Sequence, residues 1–343
     1  MPYPIGISQE VRNRGLVCRQ ATLIVIGVTC FVVVLTLVIS VWRNRADREA
    51  LRSGLQASSV QDRIEAIREI ARQRFEELIP DLLQVPGRHP EQDVLHGVEV
   101  VAAIEMFGGS AVQRLEAELR DDDVCVRRWA GRCLAKLGHQ AQSALPSILR
   151  QLNAESDVDV RTVLIGAVSD IGITAQAASG FARLGARFVE ERLFTSESEA
   201  VTFFLAVGPV AGETLARALS SGAPETRRIA ARSLSGIEVE SGLVHAAILR
   251  AVSDPDRFVQ IFAIGAIRTS EISPDLAVPT LTRALDDHDP LIRSACASVL
   301  GKFGEQASAS LPKLREIAAN DVDSIVREDA LKAIQSIDNL LPK

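Results

Sequence analysis

Aromatic residues are scarce in this sequence: they make up 4% of its 343 positions, whereas hydrophobic residues as a whole make up 47%. A core with so few rings has to be built from Ala, Val, Leu and Ile. That balance is typical of closely packed helices and favours an all-α protein.

Cysteine and histidine are few and dispersed. The cysteines are Cys18, Cys30, Cys125, Cys133 and Cys296, and the histidines are His89, His96, His139, His245 and His288. No even, regularly spaced set of cysteines occurs, which argues against a disulfide framework and favours a reducing compartment. No two of these residues have metal-ligand spacing, so we expect no metal site.

Sequence motifs of catalytic sites are also missing. The chain has no phosphate-binding loop, no Gly-x-Gly-x-x-Gly and no Gly-x-Ser-x-Gly. We therefore expect no catalytic residue, no cofactor and no small-molecule substrate.

The net charge of −6 is unevenly distributed. Residues 1–49 carry six arginines against three acidic residues, so residues 50–343 account for a net charge of −9. Phosphate backbones are bound through Lys and Arg, so an acidic region is a poor electrostatic match for nucleic acid. We expect no nucleic-acid partner.

One long uncharged run occupies positions 21–42 and is flanked by Arg19 and Arg43. Its 22 residues, at about 1.5 Å each, cover roughly 33 Å, enough to cross a hydrocarbon core of about 30 Å. The run predicts a single transmembrane helix in contact with the lipid bilayer, between a tail at 1–20 and a juxtamembrane linker at 43–54.

The run is too long for the apolar core of a cleaved signal peptide, and arginines rather than a small-residue cleavage site follow it. Its orientation is weakly marked, since three arginines precede it and four follow it closely. Together with the unpaired cysteines, this slight excess favours a cytoplasmic position for the remainder of the chain.

From about residue 55 onward, the sequence repeats a unit of about 33 residues. Each clear copy has an Asp-rich turn followed by a Val-Arg or Ile-Arg pair. The pairs are Val126-Arg127, Val160-Arg161, Ile292-Arg293 and Val326-Arg327, with the variant Val259-Gln260. A fixed period of this length indicates an array whose units bury their apolar faces against their neighbours.

Apolar residues follow each pair at offsets of +4, +7, +8 and +11, which is one face of an α-helix. After Val126 they are Ala130, Cys133, Leu134 and Leu137. Glycine ends several of these helices, at Gly138, Gly172 and Gly304.

A shorter helix precedes each acidic turn, and proline predicts where it begins. The marked starts are Ile79-Pro80, Leu145-Pro146, Val278-Pro279 and Leu311-Pro312. The short acidic side chains of the turn are suited to cap the longer helix that follows.

This unit of helix, acidic turn, longer helix and glycine resembles the HEAT repeat, especially its short bacterial form, which also occurs in phycobilin-lyase-like proteins. The resemblance implies a right-handed α-solenoid of about nine repeats over residues 55–340. It also implies that Asp and Arg of the turns form a structural ladder between neighbouring units, with Asp six residues before Arg in several copies. The ladder residues are Asp121, Arg127, Arg161, Asp254, Asp287, Arg293, Asp321 and Arg327.

Residues 173–224 depart most from the pattern, although the spacing places one more unit near Glu197. Five phenylalanines fall within 24 residues here, among them Phe181, Phe188 and Phe194. These rings form either a partner surface or kink, or the core of degenerate repeats. The second interpretation is favoured because aromatic clusters are usually buried.

Together these features predict a non-catalytic, single-pass membrane scaffold or adaptor whose repeats bind a protein partner. Two alternatives remain. The resemblance to phycobilin-lyase-like proteins implies an enzyme or chaperone that handles a linear tetrapyrrole, and some HEAT-like folds bind nucleic acid.

Overall fold

The computed structural model describes residues 9–339, and the side chains of these residues except at positions 9–28, 30, 31 and 90. Helices, turns and short 3₁₀ segments make up the described range, and no β-strand occurs within it. The chain divides into two compact units, one ending at Met106 and the other beginning at Phe107. The prediction of an all-α protein is confirmed.

Among its described residues, the first unit contains four helices: α1 (Gln9–Leu55), α2 (Val60–Gln73), α3 (Ile79–Arg88) and α4 (Asp93–Phe107). The second unit contains α5 (Val112–Glu118), α6 (Val124–Leu137), α7 (Leu145–Ala154), α8 (Val158–Ile171), α9 (Ala175–Glu190), α10 (Glu197–Val207), α11 (Gly212–Ala218), α12 (Pro224–Leu234), α13 (Gly242–Ala251), α14 (Arg257–Thr269), α15 (Pro274–Ala284), α16 (Pro290–Phe303), α17 (Leu311–Asn320) and α18 (Ser324–Asp338).

The predicted membrane segment lies within α1. Side chains 21–28, 30 and 31 of that segment, and residues 1–8 of the predicted tail, lie outside the described residues. Between Val32 and Trp42 every large apolar side chain is exposed, from 45% at Leu35 to 69% at Trp42. An apolar helix exposed on all its faces differs from the amphipathic helices of a soluble core.

Residues 43–54, predicted as a linker, are the last turns of the same helix. Arg48 forms an ion pair with Glu77, and Nε of Arg52 lies 3.1 Å from Oδ2 of Asp81. These contacts hold the end of α1 against the start of α3 and against the 3₁₀ segment Glu76–Leu78 before it.

Two further stretches have the length and apolar composition of a membrane span within the described part of the chain, at 93–118 and 197–218. In their most apolar windows, 39% and 50% of the residues are buried. Each joins two helices of the repeat pattern through a glycine-led 3₁₀ segment. Core helices of soluble proteins have the same composition, so these stretches are weak evidence for further membrane spans.

The apolar offsets after Val126, Val160, Ile292 and Val326 form the buried faces of α6, α8, α16 and α18. All sixteen positions are buried except Phe303 and Ile334, which are half-buried. The helices expected from this periodicity are therefore present.

The predicted helix boundaries depend on local chemistry. Side chains of Asp123, Asp157, Asp256, Asp289 and Asp323 accept hydrogen bonds from backbone N–H groups in the first turn of the helix that follows each. Gly138, Gly172 and Gly304 end their helices with φ between 54° and 78°, a conformation that glycine adopts without strain.

One predicted helix start is wrong. Proline lies in the first turn of α3, α7 and α17 as expected, but α15 begins at Pro274, and Pro279 lies inside it. Pro274 already occupies the first-turn position that favours proline, so the helix begins four residues before Val278, the start that the Val278-Pro279 pair indicates.

Candidate functional site: an arginine ladder and its interruption

Arg127, in the first turn of α6, joins two successive turns of the second unit. Its Nε and Nη2 donate to the two carboxylate oxygens of Glu155 at 2.9 and 3.0 Å. Its Nη1 donates to the backbone carbonyls of Asp121 and Asp122 at 2.8 and 3.1 Å. One guanidinium therefore forms hydrogen bonds with the turn before its own helix, α6, and with the turn before the next long helix, α8.

The same arrangement recurs in α12 and α16. Arg227 forms the paired contact with Asp254, and Arg293 forms it with Asp321, all at distances of 2.7 to 3.1 Å. In α14 the shorter amide of Gln260 donates one hydrogen bond to Asp287, at 2.9 Å. Arg327, in the last helix, contacts the carbonyls of Asp321 and Val322.

The six-residue spacing in the sequence corresponds to a backbone contact. Asp121, Asp287 and Asp321 offer their carbonyl oxygens to the Arg six residues later. The carboxylate that pairs with each Arg comes from the turn 27 or 28 residues downstream. Each such carboxylate also accepts the N–H of the residue two positions on, which shapes its own turn.

These pairs are largely buried. The side chains of Arg293 and Asp321 are 11% and 3% exposed. The hydrogen bonds from Arg293 hold the pKa of Asp321 below its usual value, and the pKa of Arg293 is raised by the same contact. Charges removed from water in this way remain ionised because each satisfies the other with two hydrogen bonds.

The first unit contains a neutral variant of the contact. Nη1 of Arg63 binds the carbonyls of Ala57 and Ser58, while Nη2 and Nε donate to Gln92 and to Nε2 of His96. His96 has no exposed surface, and burial, followed by the charge of Arg63, lowers its pKa. A neutral imidazole thus serves as an acceptor for an arginine.

The ladder is interrupted at α8. Arg161 is 8% exposed and donates to the carbonyls of Glu155 and Ser156. Within the described residues, however, its buried Nε has no hydrogen-bond partner. The nearest downstream acid in an equivalent turn, Glu191, lies beside Arg187 instead, at 3.8 Å.

The next repeat along the chain lacks both the arginine and the acid of the ladder. Helix α10 ends at Gly208, as other long helices end at glycine, and counting back aligns Glu197 with Arg127 and Arg293. The turn before α12 has Ser221 where Asp254 and Asp321 lie in later turns. Helix α10 also begins at Glu197, about one turn later than α6, α8 and α16 do relative to their glycines.

A cavity of about 410 Å³ lies at this incomplete step. Its floor and walls include Val189, Phe204, Leu215 and Ile229, which are buried. Its rim includes the exposed residues Glu190, Arg192 and Arg217 and the half-buried residues Thr214, Ser221 and Thr226. A second, more polar cavity of about 670 Å³ lies beside Gln260, the other position where the ladder lacks arginine. Both cavities thus lie beside steps of the ladder that lack an arginine.

The phenylalanine cluster lies next to this region and is mostly internal. Phe181 and Phe188 have no exposed surface, whereas Phe194 is half-buried. Ring centroids of Phe188 and Phe194 lie 5.5 Å apart in an edge-to-face arrangement, and Phe194 also contacts Phe203. Two of the three rings considered for a partner surface therefore pack inside the unit.

The sequence pattern placed Arg227 in a weaker repeat unit but not in the ladder, and it did not indicate Glu155, the cavity or the His96 contact. A search for an acid 27 or 28 residues after each repeat Arg finds Glu155 after Arg127 and pairs Arg227 with Asp254. A fainter indication of the cavity was that the Arg and the Asp of the ladder are both missing, at Glu197 and Ser221.

The described part of the chain offers few other reactive or metal-binding groups. No group of three or more His, Cys, Asp or Glu side chains there is arranged to hold a metal ion. Cys133 and Cys296 are buried, and burial raises the pKa of both thiols. Buried thiols of this kind are poor nucleophiles and metal ligands.

The comparisons with known proteins agree with this geometry. Residues 244–335 match the family of HEAT repeats. No curated protein matches the sequence. The karyopherin Kap121p bound to the extreme C-terminus of the protein phosphatase Cdc14p is similar over 84% of this chain, with 12% identity and a TM-score of 0.54. Kap121p bound to Ste12p is similar over the same share, with 12% identity and a TM-score of 0.53.

The chain covers 37% of the length of Kap121p in both structures, and at this identity the likeness establishes the fold alone. Residues 244–335 thus match the family of HEAT repeats, and the chain has the fold of an α-helical repeat protein.

Proposed function

We propose that this protein is a non-catalytic, membrane-anchored adaptor of about nine HEAT-like repeats that binds a protein partner. The observation that carries the proposal is the repeated ladder: at α6, α12 and α16 the charged side chains of the turns form hydrogen bonds between neighbouring repeats. Repeat arrays expose long surfaces, and in the structures that share the fold Kap121p is bound to the extreme C-terminus of Cdc14p or to Ste12p.

Affinity capture tests the partner-binding function. The full chain, solubilised in mild detergent from its native membranes, is cross-linked and its bound proteins are identified by mass spectrometry. We expect one protein to be enriched over a bait that carries only an unrelated single-pass anchor. A monodisperse monomer with no enriched protein would overturn the proposal.

The anchor is supported by the exposed apolar surface between Val32 and Trp42. Introducing Val34→Arg together with Val38→Arg places two charges in the segment, each at a cost of about 2.5–3.5 kcal/mol for membrane insertion. We expect the double variant to leave the membrane pellet on alkaline carbonate extraction. Val210→Arg, at a 50% exposed position in the second unit, is the matched control. A double variant that stays in the pellet contradicts the anchor.

We further propose that the repeats lie on the cytoplasmic side. Cys125 is half-buried, whereas Cys133 and Cys296 are buried, so a thiol reagent distinguishes Cys125 from the other two. In a variant with Cys18 and Cys30 replaced by serine, an impermeant maleimide is expected to label Cys125 in lysed cells and not in intact cells. Labelling in intact cells would place the repeats on the opposite side.

A further inference from the structure

We propose that the outer face of α18, formed by Arg327, Leu331, Ile334 and Asp338, is a dimerisation surface on which α18 of a second copy of this chain packs in antiparallel orientation. In such a pair Leu331 of one chain lies against Ile334 of the other, and Arg327 lies opposite Asp338. This inference goes beyond the adaptor function and does not depend on it, because it concerns contacts between identical chains.

The four residues of the outer face point away from the preceding repeat. Their spacing of i, i+4, i+7 and i+11 places them on one side of the helix. The opposite side of α18 contacts α16, where Ser336 donates to the carbonyl of Gly301 at 2.8 Å and Ser294 donates to Asp329 at 2.6 Å. The outer face is therefore on the side where a following repeat would stack.

The same side of the earlier long helices contacts the next repeat. At the position of Arg327, the arginines of α6, α12 and α16 donate to an acid of the following turn. At the position of Leu331, α6 has Gly131, and a Cβ added there would lie 2.9 Å from Cδ2 of Leu164 in α8. The outer face of α18 thus corresponds to an interface between repeats.

The apolar residues at this interface are buried in the earlier helices and exposed in α18. Those equivalent to Leu331 are at most 2% exposed: Ile165, Ala231, Ile264 and Ala297. Those equivalent to Ile334 are at most 1% exposed: Leu134, Val168, Leu234, Ile267 and Leu300. In α18, however, Leu331 is 50% exposed and Ile334 is half-buried. Terminal repeats of a soluble array need a polar outer face, so an apolar one indicates a surface that another helix covers.

The two charged residues of the outer face are available for a new contact. Arg327 uses Nη1 for the carbonyls of Asp321 and Val322, and its Nε and Nη2 pair with no carboxylate among the described residues. Asp338 lies 3.5 Å from Arg315, and both side chains of this pair are more than 40% exposed. Such exposed pairs contribute little to stability, so Asp338 can exchange Arg315 for another arginine.

The outer face is complementary to itself, which favours a second copy as its occupant. Both pairs, Arg327 with Asp338 and Leu331 with Ile334, are centred on the same point of α18, between Lys332 and Ala333. A two-fold axis through that point brings all four contacts together in an antiparallel pair of helices. The centre removes apolar side chains from water, and an arginine meets a carboxylate at each end.

The first experiment detects the contact by cross-linking the full chain in mild detergent. Cys18, Cys30 and Cys125 are replaced by serine, and chains with Leu331→Cys are mixed with chains that carry Ile334→Cys and a different tag. We expect a short bis-maleimide to join the two. Leu276→Cys, at a 55% exposed position in α15, is the matched control and should not be joined to Ile334→Cys. Equal cross-linking of both mixtures, or none of either, overturns the proposal.

The second experiment measures dimerisation by sedimentation equilibrium. Asp338→Arg is expected to weaken the dimer about tenfold, because two arginines then oppose each other at each end. Folding should be retained, since a cation near the C-terminus of a helix is favourable. Asp275→Arg, at an exposed position in α15, is the matched control and should dimerise like the wild type.

A mixture of two charge variants provides the sharpest test. Arg327→Glu alone should also weaken the dimer, because two carboxylates then oppose each other. An equimolar mixture of Arg327→Glu and Asp338→Arg chains should form mixed dimers about as tightly as the wild type, since every opposed pair again has opposite charges. A monomeric wild type, or mixed dimers no tighter than those of the single variants, overturns the proposal.

If Arg327→Glu fails to fold, Asp338→Arg decides the question, and an unchanged dimer in that variant overturns the proposal. Affinity capture keeps the two proposals apart. A partner captured by a monomeric wild type preserves the adaptor and excludes the dimer, whereas a dimer that captures no partner does the reverse.

Discussion

A single guanidinium of the ladder connects parts of the chain that are distant in sequence. Arg293 donates to the carbonyls of Asp287 and His288, close to it in sequence, and to Asp321, 28 residues later. The local contacts require only that the turn exists, whereas the distant one requires two units to be stacked. Arg293 therefore links the geometry of its own turn to the packing of neighbouring repeats.

Substitution of Arg293 by Met is expected to destabilise the second unit by about 3–5 kcal/mol, because the buried carboxylate of Asp321 loses its partner. Arg257→Gln is the control, since its pair with Asp289 is 51% exposed on the Arg side and is worth about 0–1 kcal/mol. Urea unfolding followed by circular dichroism measures both. The double variant Arg293→Met/Asp321→Asn should recover part of the loss, and no recovery would argue against an electrostatic origin.

The buried His96 makes the first unit sensitive to acid. Its pKa is lowered in the folded state by burial and by the charge of Arg63, so the unfolded chain binds the proton more readily. The stabilising contribution is complete above about pH 6.5, the ordinary value for histidine, and is lost as the pH falls toward the lowered pKa.

Thermal unfolding of the full chain at pH 7.5 and 5.5 checks this expectation. The wild type should lose more stability on acidification than His96→Gln, whose amide keeps a hydrogen-bonding group but does not titrate. Equal losses in the two proteins would show that His96 remains neutral, or is already protonated, across this range.

At the scale of elements, close approach of α9 and α10 depends on a glycine. A Cβ on Gly185 would lie 2.7 Å from Cε1 of Phe204 and 2.8 Å from Cε1 of Phe203, distances too short for carbon contacts. The two rings are buried and held among other rings, so they have little room to yield. The phenylalanine cluster thus leaves room only for glycine at position 185 of α9.

Gly185→Ala is expected to destabilise the second unit by about 1–3 kcal/mol through overpacking. Gly166→Ala is the matched control: outside its own helix backbone no atom lies within 4 Å of the added Cβ, so the loss of backbone freedom in the unfolded chain should stabilise the unit by about 0.5–1 kcal/mol. Opposite signs in urea unfolding would support this packing, and two equal effects would contradict it.

At the scale of the whole molecule, stability of a repeat array is set by neighbouring contacts and therefore varies along the chain. The steps at Arg127 and Arg293 have complete ladders, whereas the step that begins at Arg161 leaves a buried Nε without a partner among the described residues. Within the second unit, the interrupted region should be where the array opens first.

Hydrogen exchange followed by mass spectrometry measures this gradient. Peptides from α9 and α10 are expected to exchange faster than peptides from α6 or α16, because opening there breaks fewer contacts between turns. Uniform exchange across the second unit would show that the interruption is not a weak point.

Several features could be predicted from the sequence because they depend on nearby residues. The offsets after Val126 and Ile292 define the buried faces of α6 and α16, and aspartates of the turns cap the helices that follow them. Gly138 and Gly304 end their helices because few other residues tolerate the required φ. Pro279 is the exception. Proline favours the first turn of a helix, but Pro274 already occupies that position in α15, so Pro279 lies inside the helix.

What the sequence determined by itself was periodic and local: helices, caps, glycine ends and an apolar run long enough for a membrane. Only the tertiary structure decided which charges meet, since the acid that binds Arg127 lies 28 residues away and approaches it through stacking. It also decided that Phe181 and Phe188 are core and that Arg192 borders a cavity. Burial and cavities arise from the packing of distant segments, and no repeat spacing records the space left when a ladder residue is missing.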